Sequence, residues 1–141
     1  MIIRSAGCIL CDLVLREPIF ASSENDSDVG QLARIFNIMG TPTEQIWPNV
    51  TLLPNYIEFE SREPLNLATL FPNYDENCES NKISSLLQLV SEMLMLDPLK
   101  RLSATQCLEH RFFTTTPLPC PTETLPKPVP KNNNPSKKIK L

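Results

Sequence analysis

Glycine is scarce in this chain, which has three glycines, at positions 7, 30 and 40, among its 141 residues. A loop that cradles nucleotide phosphates needs several glycines close together, because the backbone must approach the phosphates without Cβ atoms in the way. These three glycines are too far apart to form such a loop. The sequence therefore predicts that this chain by itself holds no nucleotide cofactor.

Long apolar runs are also missing. No segment approaches the ~18 consecutive apolar residues that predict a membrane-spanning helix. The apolar stretch near the N-terminus is interrupted by Asp12 and Arg16, and no clear cleavage site follows it. We therefore expect neither a membrane partner nor a secretory signal.

Basic residues are few outside the C-terminal end. Five lysines and no acidic residue follow Glu123, so residues 1–123 carry eight basic and sixteen acidic side chains, a net charge of −8. Binding to a nucleic-acid backbone needs basic patches. The acidic body therefore argues against direct nucleic-acid binding.

Two short motifs could together supply four zinc ligands: Cys8-x-x-Cys11 and Cys107-x-x-His110. Both lie inside apolar helical patterns rather than in tight turns. A buried cysteine commonly behaves as a small hydrophobic residue, and we favour that interpretation. The five cysteines, an odd number, do not predict a disulfide framework either.

Proline divides the chain into two regions. Seven of the fourteen prolines lie between Pro117 and Pro135, in a stretch without apolar periodicity that ends in lysines. We predict a folded region over 1–116 and a disordered tail over 117–141. The Lys137-Lys138-Ile139-Lys140 run resembles a nuclear localisation signal, with a solvated tail as the competing interpretation.

Apolar residues recur at helical spacing in four segments, and no segment is a convincing strand. The first helix covers 5–17 and stops before Pro18, and the second covers 29–39, with Asp28 as N-cap, Gln31 closing a capping box and Gly40 ending it in a left-handed conformation. The third covers 82–96. The fourth follows Ser103 as N-cap with Gln106 in the box position and ends near His110.

Four prolines interrupt residues 48–80, where we expect an irregular insert with one short helix near 66–70. The insert is expected to pack through four apolar side chains, Leu65, Leu67, Leu70 and Phe71. The predicted fold class is all-α, with several helices, a long irregular insert and a disordered tail.

The segment that points to a family is Gly40-Thr41-Pro42-Thr43-Glu44-Gln45-Ile46-Trp47-Pro48. Gly40 ends a helix, Pro42 fixes a turn, and Trp47 supplies a large buried anchor. A generic capped turn would explain part of this pattern. Nine positions of this composition, however, resemble the G-T-P-x-x-x-x-W-P segment of the kinase group that includes the cyclin-dependent and MAP kinases.

Other segments resemble the same family in the same order. Asp97-Pro98-Leu99-Lys100-Arg101 is similar to the kinase D-P-x-x-R signature, and Ser5-Ala6-Gly7-Cys8-Ile9 is similar to the S-x-G-C-I segment of the central kinase helix. His110-Arg111-Phe112-Phe113 resembles the end of the domain. The resemblance covers roughly residues 5–116 and implies the C-terminal half of a kinase C-lobe.

Within the cyclin-dependent kinases, the chain most resembles the CDK-activating kinase, the kinase subunit of TFIIH. The resemblance implies a cyclin of the cyclin H type and a RING-finger assembly factor as partners. It also implies Mg-ATP in the full-length family, other cyclin-dependent kinases and the RNA polymerase II tail as protein substrates, and a nuclear location with the cytoplasm as second compartment. The candidate partner-docking residues are Asp26, Asp28, Gln31 and Arg34.

The motifs of kinase catalysis are absent: there is no V-A-I-K lysine, H-R-D-x-x-x-x-N loop, D-F-G or A-P-E. His110-Arg111-Phe112 lacks the aspartate and the downstream asparagine of a catalytic loop. We therefore predict no catalytic, cofactor-binding or metal-binding residue, and a chain that is inactive alone. A non-catalytic binding module that competes for the cyclin or the assembly factor, or a mispredicted truncated gene, is the alternative.

The chain departs from the family pattern at its start. Ile2 stands where the central helix has an aspartate, and Arg4 where it has a tryptophan. Arg101 would pair with the glutamate of A-P-E, so here we expect it to be exposed or to pair with Glu17 or Glu92. We also expect the first helix to expose an apolar face, which would make the fragment marginal and prone to aggregate.

Overall fold

The computed structural model describes residues 2–21, 27–71 and 81–126. The α-helices are α1 (Ile2–Leu15), α2 (Asp28–Met39), α3 (Asn81–Leu94) and α4 (Ala104–Glu109). Four short 3-10 turns lie at Val50–Leu52, Leu67–Leu70, Arg111–Phe113 and Thr122–Thr124. The three described ranges contain no strand, which confirms the all-α prediction. None of their helices is both long and apolar enough to cross a bilayer.

The core forms where α1 packs against α3. Cys11 on α1 is fully buried in one cluster with Leu86, Val90 and Leu94 on α3. The helices approach closely at Gly7, where a Cβ atom would lie 3.0 Å from Met93 Cβ. Glycine at this position therefore sets how near α1 can come to α3.

Two cysteines of the Cys-x-x-Cys and Cys-x-x-His pairs are buried in apolar packing. Burial is the main cause that raises the pKa of the Cys11 thiol to about 12. Cys107 on α4 lies in a second apolar cluster with Leu89 and Met93. The prediction that these cysteines serve as small hydrophobic residues is confirmed by their burial.

The start of α2 differs from the prediction. The N-cap is Ser27, whose Oγ accepts a hydrogen bond from the Gly30 N–H at 3.2 Å, and Asp28 is already the first helical residue. Gln31 does not close a capping box, because its side-chain amide donates to the Phe20 carbonyl at 3.3 Å. The Gln31 side chain, which the sequence pattern assigned to the cap of α2, therefore binds the segment after α1 instead.

The start of α4 follows the prediction in full. The Gln106 N–H donates to Ser103 Oγ at 3.3 Å, and the Ser103 N–H donates to Gln106 Oε1 at 2.8 Å. This reciprocal pair is a complete capping box. The helix ends at Glu109, as expected from the pattern.

The insert reaches the main core through a short turn. Asn66 caps the 3-10 turn Leu67–Leu70 by accepting a hydrogen bond from the Ala68 N–H, and Phe71 behind it is buried in the main core. Leu67 and Leu70 pack against the same cluster. Leu65, which was also expected to pack, is 48% exposed. The remainder of the insert, over 72–80, lies outside the described residues.

One face of α1 is exposed, as predicted from the sequence. The exposed fractions are 83% for Ile2, 59% for Ile9 and 74% for Leu13. The tendency to aggregate that we expect from this face stays a prediction. The tail prediction also stays untested, because residues 127–141 lie outside the described residues.

Lys82 ties the first turn of α3 to the end of the folded region. Its ammonium donates to the Phe112 carbonyl at 2.5 Å and to the Thr115 carbonyl at 3.0 Å. It also lies 4.2 Å from the centre of the Phe112 ring. These contacts span about thirty residues of sequence and hold the segment after α4 against α3.

We expect Lys82→Met to destabilise the protein, because it leaves two backbone carbonyls without their charged donor. The expected loss in the free energy of unfolding is about 2 kcal/mol, within the range for hydrogen bonds to charged groups. Urea unfolding of both proteins measures it. Ser84→Met, at an exposed position of the same helix, controls for the methionine itself. Equal losses in the two variants would contradict this role of Lys82.

Candidate functional site

The first family motif begins with a tight turn after α2. Gly40 has φ 77° and ψ 162°, so the positive φ expected of it is confirmed, although its ψ is not that of a left-handed helix. A Cβ atom on Gly40 would lie 2.9 Å from the Pro64 backbone nitrogen. Only glycine meets both conditions, the positive φ and the close approach of the backbone at residue 64.

Thr41 then fastens the insert to this turn. It is buried, its N–H donates to the Arg62 carbonyl at 2.9 Å, and its hydroxyl donates to the Glu60 carbonyl at 2.7 Å. The Arg62 N–H returns a hydrogen bond to the same hydroxyl at 3.1 Å. The threonine of the motif therefore holds residues 60–62 in place without any strand pairing.

Glu44 braces the second half of the motif. Its carboxylate accepts hydrogen bonds from the Asn49 N–H at 2.7 Å, the Thr51 N–H at 3.2 Å and the Thr51 hydroxyl at 2.5 Å. The Thr51 hydroxyl is the largest of the causes that lower the pKa of this carboxyl group. Asn49, with φ 65°, lies inside this braced turn. The sequence reasoning assigned Glu44 no role.

The second family motif forms its own turn after α3. Asp97 is buried, and its Oδ1 accepts the Leu99 N–H at 2.9 Å. The Lys100 ammonium lies 3.9 Å from Asp97 Oδ2 and donates a hydrogen bond to the Ile46 carbonyl at 2.5 Å. Residues 54 positions apart are thus joined, and the two motifs become one unit.

Arg101 is neither fully exposed nor paired with a carboxylate, which were the two outcomes predicted for it. It is half-buried, its Nε and Nη2 donate to the Met95 carbonyl at 3.1 and 2.8 Å, and its Nη2 also reaches the Leu96 carbonyl at 3.4 Å. The expected pairing with Glu17 or Glu92 is wrong. The guanidinium instead satisfies carbonyl groups that α3 leaves unpaired just beyond its C-terminal end.

The two motifs and the start of α1 border one cleft of about 300 Å³. Its walls are apolar apart from two guanidinium groups. The lining residues are Arg4, Leu32, Ile35, Phe36, Trp47, Leu96, Pro98 and Arg101. Trp47, predicted to be a buried anchor, is half-buried and also borders a neighbouring hollow.

Arg4 is the unsatisfied group of this cleft. Its Nη2 is buried and has no hydrogen-bond partner among the described residues, and the guanidinium lies 5.9 Å from the centre of the Phe20 ring. Burial, and then the charge of Arg101, lower the pKa of Arg4. Periodicity could not single out this side chain, because the arginine lies at an ordinary helical position.

Comparison with known proteins identifies the family of this chain. The model of the protein kinase domain matches residues 3–113. The chain belongs to the protein kinase family. Among the kinases it is similar to, cyclin-dependent kinase D-1 of Oryza sativa subsp. indica is 38% identical over 137 residues, which cover 97% of this chain and 30% of that protein.

Two further relatives are also named cyclin-dependent kinases. Cyclin-dependent kinase 7 of Caenorhabditis elegans is 39% identical over 137 residues, 96% of this chain and 38% of that protein. Cyclin-dependent kinase B2-2 of Arabidopsis thaliana is 42% identical over 113 residues, 80% of this chain and 32% of that protein. The chain spans about a third of the length of these relatives. Its sequence is of the cyclin-dependent kinase type, which confirms the family relationship inferred from the motifs.

The described part of this kinase chain does not fit Mg-ATP. Gly7 is packed inside α1, Gly30 lies within α2, and Gly40 is pressed against the backbone at Pro64. Within the described ranges, no group of three or more His, Cys, Asp and Glu residues could hold a metal ion. His110 Nδ1 accepts the Phe112 N–H at 3.2 Å and so caps the final turn of the domain.

The predicted partner-docking residues lie in different settings. Asp28 is exposed at the start of α2, and Asp26 lies outside the described residues. Gln31 and Arg34 hold the segment after α1, since Arg34 Nη1 donates to the Ala21 carbonyl at 2.7 Å. A role of this set in docking therefore stays a prediction.

The lowered pKa of Glu44 gives a pH dependence with a defined sign. A carboxyl group with a lowered folded-state pKa stabilises the fold above its ordinary value of about 4.3 and loses that contribution as the pH falls through the folded-state pKa. We therefore expect Glu44→Gln to lower the melting temperature at pH 7. The difference from the unsubstituted protein should shrink as the pH falls below about 4.

Thermal unfolding followed by Trp47 fluorescence between pH 3 and pH 7 measures this dependence. Glu58→Gln is the matched control, because Glu58 is exposed and makes no hydrogen bond or ion pair with the described residues. A Glu44→Gln difference that is independent of pH would show that the carboxylate hydrogen bonds do not stabilise the turn.

Proposed function

We propose that this chain is the substrate-lobe part of a CDK-activating-type protein serine/threonine kinase and that it is inactive by itself. The observation that supports this proposal is the hydrogen bond from Lys100 to the Ile46 carbonyl, which joins the two family motifs. It occurs in a chain similar to cyclin-dependent kinases D-1 and 7. The family relationship supports the class of reaction, which is ATP-dependent phosphorylation of proteins. The full-length protein, not this part, would carry it out.

Inactivity follows from the chemistry of phosphoryl transfer. That reaction depends on positioned phosphates, bound magnesium and a base beside the hydroxyl group that attacks. The sequence holds none of the four motifs that supply these groups. The buried glycines and the capping role of His110 argue in the same direction.

The proposed partners come from the same relationship. The relatives are named cyclin-dependent, so a cyclin is the general partner we propose. The resemblance to the CDK-activating branch narrows it to the cyclin H type, with a RING-finger assembly factor beside it. Nuclear location, TFIIH, and substrates among cyclin-dependent kinases and the RNA polymerase II tail belong to the same proposal.

A second candidate is a non-catalytic module that binds a kinase partner and competes with the full enzyme. The exposed apolar face of α1 favours it, since Ile2, Ile9 and Leu13 have no partner within the described residues that covers them. Apolar faces of this kind mark interaction surfaces. This candidate needs no catalytic group.

The first test is Mg-ATP binding, measured by calorimetry on the full chain. We expect no heat of binding and no autophosphorylation, because the phosphate-binding and metal-binding groups are absent. Full-length cyclin-dependent kinase 7 of Xenopus laevis serves as the active reference. Saturable binding of Mg-ATP to this chain would sink the claim of inactivity.

The second test separates the two candidates by pulldown with cyclin H and the assembly factor. If the chain is a binding module, it should retain one of them and release it to excess full-length kinase. Asp28→Ala should then weaken retention, whereas Glu109→Ala, exposed on α4, should not. Absence of retention would remove the second candidate and leave the first.

A further inference from the structure

An apolar hollow of about 170 Å³ lies beside Trp47, on the side of the insert. Besides Trp47, its lining includes Leu53, Tyr56, Ile57 and Phe59. Leu53 is 41% exposed and Ile57 is 46% exposed, so part of this apolar lining faces solvent. Exposed apolar surface around a hollow is typical of a binding site for another segment of protein.

One wall of this hollow is a stretch of backbone with unpaired groups. Residues 56–60 form neither helix nor turn, and the Glu60 carbonyl accepts a hydrogen bond from the Thr41 hydroxyl at 2.7 Å, which holds one edge of the stretch. Backbone groups alternate between the two edges of an extended chain, so those of Ile57 and Phe59 face the other edge. They make no hydrogen bond with another described residue. An unpaired edge of this kind is a template for a further strand.

The side chains of the same stretch also alternate. Ile57 and Phe59 line the hollow, whereas Glu58 between them does not and is exposed. Glu58 makes no ion pair with a described residue, and the side chain of Glu60 is 84% exposed, with one contact of 3.7 Å to Arg62. The stretch therefore has an apolar side and an acidic side, as an extended chain of alternating sequence does.

A second segment of the chain carries the complementary pattern. Lys138-Ile139-Lys140-Leu141 alternates basic and apolar residues, just as Ile57-Glu58-Phe59-Glu60 alternates apolar and acidic residues. If the two segments pair antiparallel, with Leu141 opposite Ile57, each apolar residue lies opposite an apolar residue and each lysine lies opposite a glutamate. Such cross-strand pairs are the contacts that stabilise neighbouring strands. The net charge of −8 over residues 1–123 favours the approach of the lysines.

We propose that residues 138–141, which lie outside the described residues, dock as an added strand along residues 57–60 of the same chain, with Ile139 and Leu141 in the hollow. Residues 127–138 connect this segment to the described part of the chain. They can span about 40 Å when extended, which exceeds the roughly 35 Å width of a folded region of this size. The length of the chain therefore allows docking within one molecule.

The inference does not rest on the proposed function, because it uses no catalytic group and no partner protein. It concerns the same lysines that form the run resembling a nuclear localisation signal. Docking would cover these lysines, whereas a localisation signal has to be accessible. The contact is therefore a device by which the body of the chain controls access to its own basic segment.

Hydrogen exchange of the full chain, followed by NMR for each amide, tests the added strand. We expect the Ile57 and Phe59 amides to exchange about tenfold more slowly than in the double variant Ile139→Ser/Leu141→Ser. These two substitutions leave every contact between described residues in place. Val129→Ser is the matched control, because it removes an apolar side chain from the tail outside the docked segment, and it should keep the slow exchange.

Charge reversal tests the pairing of the two segments. Lys138→Glu together with Lys140→Glu should abolish the slow exchange, because it places like charges opposite each other. Adding Glu58→Lys and Glu60→Lys should restore it, since opposite charges then face each other again. Salt should weaken the protection of the unsubstituted chain, because these pairs are exposed.

The hollow is tested from the other side of the contact. Ile57→Ser should release the segment, whereas Leu52→Ser, at a position that is 78% exposed and outside the hollow, should not. Trp47 is the only tryptophan of the chain and lines the hollow, so its emission should move to longer wavelength on release.

Three results would overturn the proposal. The first is equal exchange of the Ile57 and Phe59 amides in the unsubstituted chain and in Ile139→Ser/Leu141→Ser, which would leave this edge free for a partner protein. The second is failure of the fourfold charge exchange to restore protection. The third is protection that rises over an about hundredfold range of chain concentration together with a dimer, which would make a second copy the occupant.

Discussion

The packing of α1 on α3 is the contact on which the remaining structure depends. It requires Gly7, because a Cβ atom there would meet Met93 at 3.0 Å. Three further segments are attached to α3. The insert reaches it through Phe71, α4 through Cys107, and the final turn through Lys82. A small fold with one central helix is sensitive to any change that separates α1 from it.

The family motifs are first of all structural devices. Thr41 after α2 holds the insert by hydrogen bonds from its N–H and its hydroxyl, and Glu44 braces the turn that follows Trp47. The lysine after α3 then joins the two motifs across 54 residues. Such motifs identify a kinase lobe by its architecture, even in a sequence without the V-A-I-K, H-R-D-x-x-x-x-N, D-F-G and A-P-E motifs.

Charge is unevenly distributed over the molecule. The body is acidic, yet two arginines share one apolar cleft, and one of them has a buried donor without an acceptor in the part of the chain that the structure describes. Local breaks of the usual rules for burial tend to mark functional sites. The apolar face of α1 is a second exception to the rules for burial, since Ile2, Ile9 and Leu13 are exposed.

The sequence by itself determined the helices, the family and the cap of α4. Ser103 and Gln106 form a box because both partners lie within one turn, and the positive φ at Gly40 follows from the helix that ends there. The third helix was also predictable, because its apolar period is strong over fourteen residues.

Only the tertiary structure decided what depends on distant residues. Gln31 donates to the Phe20 carbonyl instead of closing the predicted capping box. Arg101 donates to carbonyls beyond α3 instead of pairing with a carboxylate. The meeting of Arg4 with Trp47 and Arg101 was equally hidden. The physical reason is the same in each case: a long polar side chain has several partners of similar strength, and the packing of remote segments selects among them.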